Sequence, residues 1–188
     1  QEFLESKKKR HGANGVQVDT VHDALFPFQS AITRWALNKG RACIFAGTGL
    51  GKTRMQCEWM RNMPSGYKFI VAPLAVAGQT IEEANDALGM EVNRVYEAKD
   101  VSRDVVNILN YDRLHHIEGF DAVAVAIDES SILKSHDGEY RRYIQERFSK
   151  TDYKLACTAT PSPNDYMELA THAEFMGAMT RMEMLATY

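Results

Sequence analysis

One glycine-rich stretch constrains this chain more than any other part of it. Residues 46–53 read AGTGLGKT, between an apolar run at 42–45 and a helix-like segment at 54–60. A strand, a glycine-rich turn and a Lys-Thr pair that opens a helix form the layout of a phosphate-binding loop. Glycines let successive backbone N–H groups point at one anion, and the helix N-terminus adds partial positive charge. The stretch therefore predicts a site for a triphosphate together with Mg²⁺.

Single positions in this loop have distinct expected tasks. Lys52 would reach the β- and γ-phosphates as a point charge, and Thr53 would offer its hydroxyl to Mg²⁺. The general pattern G-x-x-x-x-G-K-[ST] begins with glycine, whereas this chain has Ala46. The remaining residues expected to wrap the phosphates are Gly47, Thr48, Gly49, Leu50 and Gly51.

Length and charge limit the other possibilities. A chain of 188 residues predicts one domain with a sizeable core. Its net charge of −3 does not favour a protein that binds nucleic acid by bulk charge, so such contact would need a local groove. The three cysteines lack CxxC spacing, which argues against a zinc site and fits a reducing cytoplasm. Residues 1–20 are predicted to be a polar N-terminal extension.

Strand-like and helix-like segments alternate along the rest of the chain. This alternation predicts an α/β fold with a mainly parallel sheet covered by helices on both faces. Segment 122–127 is apolar throughout, as expected for a central strand. Ligands of such sheets bind at the carboxyl ends of the strands. The predicted strands are 42–46, 67–72, 92–96, 105–109, 122–127 and 154–158, and the predicted helices are 30–37, 52–62, 77–88, 139–148 and 164–176.

An acidic pair, Asp128 and Glu129, follows the central apolar strand directly. Carboxylates are costly beside a buried strand unless they are paired or used. In a phosphoryl-transfer site Asp128 would hold Mg²⁺ through its water, and Glu129 would orient the attacking water as general base. Adjacent residues on an extended strand point in opposite directions, so we expect the chain to turn at 128–129.

Two hydroxyl residues lie at the end of the last predicted strand. Thr158 and Thr160 belong to the segment TATPSPND at 158–165. Their hydroxyls could hydrogen-bond the acidic pair and sense the γ-phosphate, and Asn164 is expected to cap the next helix.

Two glutamines are further candidates. The amide of Gln29 carries both a donor and an acceptor, which suits the edge of adenine, but its sequence position alone favours a surface glutamine that opens a helix. Gln79 is expected in the first turn of a helix, where it could contact a nucleic-acid backbone.

Taken together, six motifs resemble the first RecA-like lobe of superfamily-two helicases and translocases. The form A-x-x-G-x-G-K-T is typical of that family. Lys134 after the acidic box and the later segment T-A-T-P-x-x-N resemble the Swi/Snf-type branch of the family, especially its phage-encoded members. The resemblance covers about residue 21 to the end and implies a RecA-like P-loop NTPase, a three-layer sandwich, over 21–188. The motifs are FPFQ at 26–29, AGTGLGKT at 46–53, VAPLAVAGQT at 71–80, ILNYDRL at 108–114, DESS at 128–131 and CTATPSPND at 157–165.

The resemblance implies an ATP-dependent DNA helicase or translocase that hydrolyses ATP to ADP and phosphate. Lys52, Asp128 and Glu129 would be catalytic, with Thr53 and Asp128 on the metal. Gln29 would read adenine. Thr158 and Thr160 would couple the nucleotide state of the site to its binding of nucleic acid. The box reads DESS rather than DEAD or DEAH, which leaves branch-specific coupling open. Residues expected near the nucleic-acid surface are Pro73, Gln79, Asn110 and Tyr111.

Family members close the ATP site with a second RecA-like lobe that supplies arginine fingers. Such a lobe is expected either in a longer parent chain, of which these residues would be a fragment, or in another subunit. The expected location is the cytoplasm, that of the host cell for a phage-encoded protein. Two other classes remain open: a nucleotide-dependent switch module without motor activity, and, less favoured, a P-loop kinase.

Overall fold

A computed structural model describes residues 15–134, 139–161 and 168–187. Among these residues, three short 3-10 helices follow the third, fourth and fifth strands. They are Ala98–Asp100, Tyr111–Ile117 and Ser130–Lys134. The helices and strands are α1 (Pro27–Lys39), β1 (Arg41–Phe45), α2 (Lys52–Arg61), β2 (Tyr67–Ala72), α3 (Leu74–Leu88), β3 (Val92–Arg94), β4 (Val106–Asn110), β5 (Ala122–Asp128), α4 (Glu139–Arg147), β6 (Tyr153–Thr158), α5 (Glu168–Met176) and α6 (Arg181–Thr187).

The six strands form one sheet in the order β1-β6-β5-β2-β4-β3, and all neighbouring pairs are parallel. The carboxyl ends of the strands therefore lie along one edge of the sheet. The register pairs Phe45 with Thr158 and Asp128 with Cys157. The predicted α/β fold with a parallel sheet is confirmed.

Two apolar cores lie on opposite faces of this sheet. Ala124 and Ala126 of β5 belong to the first core, together with buried residues of α1, α2 and α3. Val125 and Ile127 belong to the second, together with Ile144 of α4 and Phe175 of α5. Since successive strand residues point to opposite faces, both faces of β5 are covered, which gives three layers.

Several element bounds differ from the sequence-based expectation. Helix α1 begins at Pro27 rather than residue 30, because proline fits the first turn, where an N–H has no helical partner. Helix α3 begins at Leu74 rather than residue 77, directly after Pro73. Strand β3 ends at Arg94 rather than residue 96, because the N–H groups of Tyr96 and Glu97 donate to the carboxylate of Asp100.

Part of the predicted N-terminal extension packs against the sheet and helices. The N–H groups of Gly15 and Val16 donate to the carbonyls of Asn38 and Leu37 at 3.2 and 2.9 Å, and Val16 packs on the first core. The basic run at 7–10 and the expected cap Asn164 lie outside the described residues. No helix among the described residues is long and apolar enough to span a membrane.

Candidate functional site

The sheet order brings three of the predicted motifs side by side. Strands β1, β6 and β5 are neighbours, and they end in the phosphate loop, Thr158 and Asp128 respectively. The loop is tied to β6 at its base, where the N–H of Ala46 donates to the carbonyl of Thr158 at 3.2 Å. The strand order thus brings residues 46, 128 and 158 to one edge of the sheet, although more than 80 positions separate residue 46 from residue 128.

The glycines of the phosphate loop adopt backbone angles that other residues avoid. Gly49 and Gly51 have φ of 80° and 75°. A Cβ at Gly51 would also lie 2.3 Å from Nε2 of Gln29. Within the described part of the chain, the N–H groups of Gly49, Gly51, Lys52 and Thr53 have no hydrogen-bond partner, at the N-terminus of α2. These four groups belong to residues that border the cleft beside the loop, where they can donate to an anion.

Lys52 lies against its own loop. Its ammonium group donates to the carbonyls of Ala46 and Gly47 at 3.0 and 3.2 Å. The same residue lines the cleft beside the loop, so the side chain is placed to turn from these carbonyls towards a bound phosphate.

The acidic pair turns as its sequence position requires. Glu129 has φ of 52°, a left-handed conformation, and its N–H donates to Oδ1 of Asp128 at 3.1 Å. Asp128 is 7 % exposed. Burial, and to a lesser degree the charge of Glu129, raise the pKa of the Asp128 carboxyl, while the Glu129 N–H and Lys52 oppose the rise. Both carboxylates line the same cleft.

The carboxylate of Glu129 is held by two hydroxyl groups. Oε1 accepts hydrogen bonds from Thr158 at 2.9 Å and from Ser131 at 3.1 Å. The N–H of Thr160 donates to the hydroxyl of Thr158 at 3.1 Å. Thr158 thus makes the predicted contact with the acidic pair. The role of Ser131 was missed, although its place in the DESS box made it a candidate.

Gln29 supports the phosphate loop with its side-chain amide. The side chain is 3 % exposed. Its carbonyl accepts the N–H of Phe26 at 3.0 Å, and its NH₂ group donates to the carbonyl of Leu50 at 3.0 Å. The amide therefore joins the start of α1 to the phosphate loop, and the prediction of a surface glutamine was wrong because the side chain is buried between these two segments.

The loop and the acidic pair enclose a cleft of about 360 Å³. Pro73 and Gln79, expected near nucleic acid, line this cleft from α3. Gln79 lies in the second turn of α3 rather than the first, because the helix starts at Leu74. The lining residues are Gly49, Gly51, Lys52, Thr53, Pro73, Val76, Gln79, Glu83, Asp128 and Glu129.

Asn110 and Tyr111, the other residues expected near nucleic acid, are each 8 % exposed. The Asn110 amide donates to Asp112 at 3.3 Å. The Tyr111 hydroxyl donates to the backbone carbonyl of Asp128, so its ring supports the strand end that carries the acidic pair. Burial, followed by the charge of Asp128, raises the pKa of Tyr111 well above its usual range.

A buried polar contact on the other side of the acidic box was also missed from sequence. The hydroxyl of Ser130 lies 3.0 Å from Nε2 of His172, and both side chains are buried. The His172 ring packs edge-on against Phe45, the last residue of β1, with centroids 5.4 Å apart. Helix α5 is thereby connected to both the acidic box and the strand that leads into the phosphate loop.

Comparison with known proteins gives structural likeness only. No protein-family model matches this chain, and no curated protein matches it significantly by sequence. The SWI2/SNF2 ATPase core of Sulfolobus solfataricus, solved in complex with dsDNA, matches with a TM-score of 0.73 at 18% identity, over 91% of this chain and 40% of that one.

Two further solved structures belong to helicases. The UvsW helicase from bacteriophage T4 matches with a TM-score of 0.64 at 12% identity, over 84% of this chain and 61% of that one. The Hef helicase domain of Pyrococcus furiosus matches with a TM-score of 0.64 at 17% identity, over 80% of this chain and 36% of that one. The chain thus has the RecA-like fold of helicase cores and spans about two fifths to three fifths of their length.

Proposed function

We propose that this chain is the ATP-binding first lobe of a superfamily-two DNA helicase or translocase. One observation carries the proposal: four unpaired N–H groups of the phosphate loop and the two carboxylates Asp128 and Glu129 border the same cleft. Donors for an anion and acceptors for a cation, side by side, match the chemistry of a nucleotide with its metal. The fold shared with helicase cores supports the same assignment.

The donor set fits ATP with Mg²⁺. The loop residues Gly47 to Gly51 and Lys52 would bind the phosphates, while Thr53 and Asp128 would hold the metal with its waters. Mg²⁺ would supply charge neutralisation for the phosphates. Lys52 would exchange its bonds to two loop carbonyls for bonds to phosphate oxygens, so no new charge has to be buried.

Glu129 is the proposed general base. Its Oε1 is occupied by the hydroxyls of Thr158 and Ser131, which fix the orientation of the carboxylate. A carboxylate held in this way can accept the proton of a water that attacks the γ-phosphate. Thr158 and Thr160 are proposed to couple nucleotide state to the nucleic-acid surface, because they connect β6 to this carboxylate. Gln29 is proposed to read adenine while it supports the loop.

Nucleic acid and a second lobe complete the proposal. DNA is the proposed track, since the SWI2/SNF2 neighbour was solved with dsDNA. The residues proposed to lie near the DNA are Pro73, Gln79, Asn110 and Tyr111. For Asn110 and Tyr111, the segment that contains them is proposed to make the contact rather than their side chains. Arginine fingers would come from a second RecA-like lobe, and the Swi/Snf-like, phage-type branch of the family, acting in the host cytoplasm, is the proposed origin.

Calorimetric titration with ATP and Mg²⁺ tests the proposal. We expect the wild-type chain to bind, and Lys52→Ala to weaken binding by about 10- to 100-fold, since hydrogen bonds to charged groups contribute about 1.5–3 kcal/mol. Lys99→Ala is the matched control, because Lys99 is exposed and pairs with Glu97 at 2.9 Å. Equal affinity in the wild-type chain and Lys52→Ala would refute the proposed phosphate site.

Glu129→Gln separates a motor lobe from a switch module. The change should preserve ATP binding and lower single-turnover hydrolysis by about 10²- to 10⁴-fold, the usual contribution of a general base. Hydrolysis by the wild-type chain alone should be slow and little stimulated by DNA, since an arginine finger contributes about 10³–10⁵ in rate. Hydrolysis unaffected by Glu129→Gln would contradict the assigned base.

A further inference from the structure

An exposed tyrosine lies between two arginines outside the nucleotide cleft. Tyr96, which follows β3, is 48 % exposed. The guanidinium carbons of Arg94 and Arg113 each lie 5.3 Å from the centre of its ring, within the range of a cation–π contact. Arg113 also donates to the backbone carbonyl of Tyr96, which fixes the geometry. We call these three residues the Arg–Tyr bracket.

The bracket lies at the same edge of the sheet as the nucleotide cleft. Strand β3 ends at Arg94, and Arg113 belongs to the 3-10 helix that follows β4. The bracket borders a small hollow together with Leu74 and Asn110. Leu74 is 62 % exposed at the start of α3. Parallel strands place all these ends on one side, so a long ligand lying along that side could reach the bracket.

The acidic neighbours of the bracket are engaged elsewhere. Glu97 pairs with Lys99 at 2.9 Å, and the Asp100 carboxylate accepts the N–H groups of Tyr96 and Glu97. Arg113 lies close enough to add to the lowering of the Asp100 pKa, which those two N–H groups dominate. Among the described residues neither arginine of the bracket forms an ion pair. Their guanidinium groups therefore keep donors for an anionic ligand.

Helix α3 separates the bracket from the cleft. Pro73, Val76 and Gln79 line the cleft at helical spacing. Leu74 and Ala77 line the hollow on the other face, and a Cβ at Gly78 would lie 4.0 Å from Nη1 of Arg94. One helix thus contacts the candidate nucleotide site with one face and the bracket with the other.

We propose that the Arg–Tyr bracket binds the sugar–phosphate backbone of a nucleic-acid strand. Two guanidinium groups with unpaired donors suit successive phosphates, and the exposed Tyr96 ring between them suits a sugar face. The inference rests on the proposed function and assigns its nucleic-acid contact to Arg94 and Tyr96, which lie outside the six motifs, together with Arg113 of the motif ILNYDRL. The side chains of Gln79 and Tyr111 lie at the cleft and against the acidic strand, so the bracket would supply the direct contact with the strand beside them.

Fluorescence anisotropy with a labelled DNA strand of about 20 nucleotides, and with its duplex, tests the bracket. Arg94→Gln and Arg113→Gln should each raise Kd by about 5- to 10-fold at roughly 50 mM salt and reduce the slope of log K against log salt by about 1. The control is Arg103→Gln, because Arg103 makes the same kind of contact with Tyr67, at 5.6 Å, beside the amino ends of the strands. It should leave Kd and slope unchanged.

The outcomes separate this inference from the proposed function. If wild-type chain binds DNA and both bracket variants bind equally well, the bracket is overturned and the helicase proposal stands. If Arg103→Gln weakens binding as much as Arg94→Gln, bulk charge explains the binding and the bracket is again overturned. Absence of DNA binding by wild-type chain, with ATP binding intact, overturns the bracket and leaves the nucleotide site standing.

A measurement on the unaltered chain guards against variants that fail to fold. Photocrosslinking to a strand that carries 5-iododeoxyuridine attaches DNA to nearby aromatic rings. The bracket predicts a crosslinked peptide that contains Tyr96, with crosslinking suppressed by excess unlabelled DNA. Crosslinks confined to peptides without Tyr96 would overturn the inference.

Discussion

The proposed nucleotide cleft and the Arg–Tyr bracket lie on two faces of helix α3 and are built in different ways. In the cleft, residues 46–53 supply nearly the whole phosphate cradle, and buried partners such as Gln29 and Tyr111 hold it in place. The bracket instead joins residues 94, 96 and 113 from the ends of two strands, and half of Tyr96 is exposed.

This difference relates to what each region has to do. A cleft that must hold several phosphate oxygens and a metal needs fixed donors, so its backbone is prearranged. A surface that grips and releases a polymer needs charge and a few exposed contacts, which side chains on short segments supply. Changes in the cleft should therefore affect stability and nucleotide affinity together, whereas changes in the bracket should affect nucleic-acid affinity alone.

The largest effect is expected from Gly51→Ala. A side chain there would adopt a left-handed conformation and meet Nε2 of Gln29, so both backbone strain and the loss of the Gln29–Leu50 hydrogen bond apply. Strain of about 1–2 kcal/mol and a lost buried bond of about 1–3 kcal/mol should lower the melting midpoint by roughly 5–10 °C. Differential scanning fluorimetry measures this, and ATP titration should show a parallel loss of affinity.

Gly49→Ala is the matched control for strain without collision. Gly49 has φ of 80°, but a Cβ there would meet nothing within 4 Å. Its midpoint should fall by only about 2–4 °C, in keeping with roughly 1 kcal/mol of strain. Equal losses in the two variants would show that Gln29 does not support the loop.

Gln29→Ala is expected to have an intermediate effect. It leaves the Phe26 N–H and the Leu50 carbonyl without their partner, at a cost of about 2 kcal/mol. Because these bonds act on the loop, affinity for GTP should fall by about tenfold in nucleotide titrations, and affinity for ATP should fall further, since the same amide is proposed to read adenine. Equal losses for ATP and GTP would show instead that supporting the loop is the main task of this amide.

Asp128→Asn should have the smallest effect on stability, and in the opposite direction. Burial raises the pKa of Asp128 above its ordinary value of 3.8, so the folded chain holds this proton more tightly than the unfolded chain does. Ionisation as pH rises through the raised pKa therefore removes stability, and the loss is complete once the pH lies above that pKa. Asp128→Asn should raise the melting midpoint by about 1–4 °C at neutral pH.

Two observations would distinguish the removal of a buried charge at Asp128 from a general stabilisation of the fold. The gain should shrink as pH falls towards the ordinary pKa, because wild-type Asp128 then becomes protonated. The dependence of ATP binding on Mg²⁺ should also disappear. Asp23→Asn, at a fully exposed carboxylate, should leave the midpoint unchanged. A gain for Asp128→Asn that persists at acid pH would contradict the electrostatic explanation.

Local patterns predicted the parallel sheet, the phosphate loop and the turn at Glu129, because glycine spacing, apolar runs and acidic strand ends each reflect short-range constraints. The bounds of α3 and β3 could not be read in this way. The helix predicted from residue 77 begins at Leu74, directly after Pro73, and the cap supplied by Asp100 ends the pairing of β3 through side-chain bonds.

Contacts between distant segments were the other limit. Ser130 and His172 are 42 residues apart, and Tyr111 reaches the carbonyl of Asp128 from the neighbouring motif. Neither contact has a local signature, since each depends on strand order and helix packing. Gln79 illustrates the consequence: the sequence predicted it in the first turn of its helix, but α3 starts earlier, and Gln79 lies in the second turn and lines the cleft beside the acidic pair.

The central claim is that the unpaired backbone groups at 49–53 are the phosphate site. Titration of the ¹⁵N-labelled chain with ATP and Mg²⁺, followed by amide NMR shifts, tests it most directly. The largest shifts should occur at Gly49, Gly51, Lys52 and Thr53, with smaller ones at Asp128 and Glu129. Saturable binding that leaves the amides of 49–53 unmoved while others shift would contradict the account.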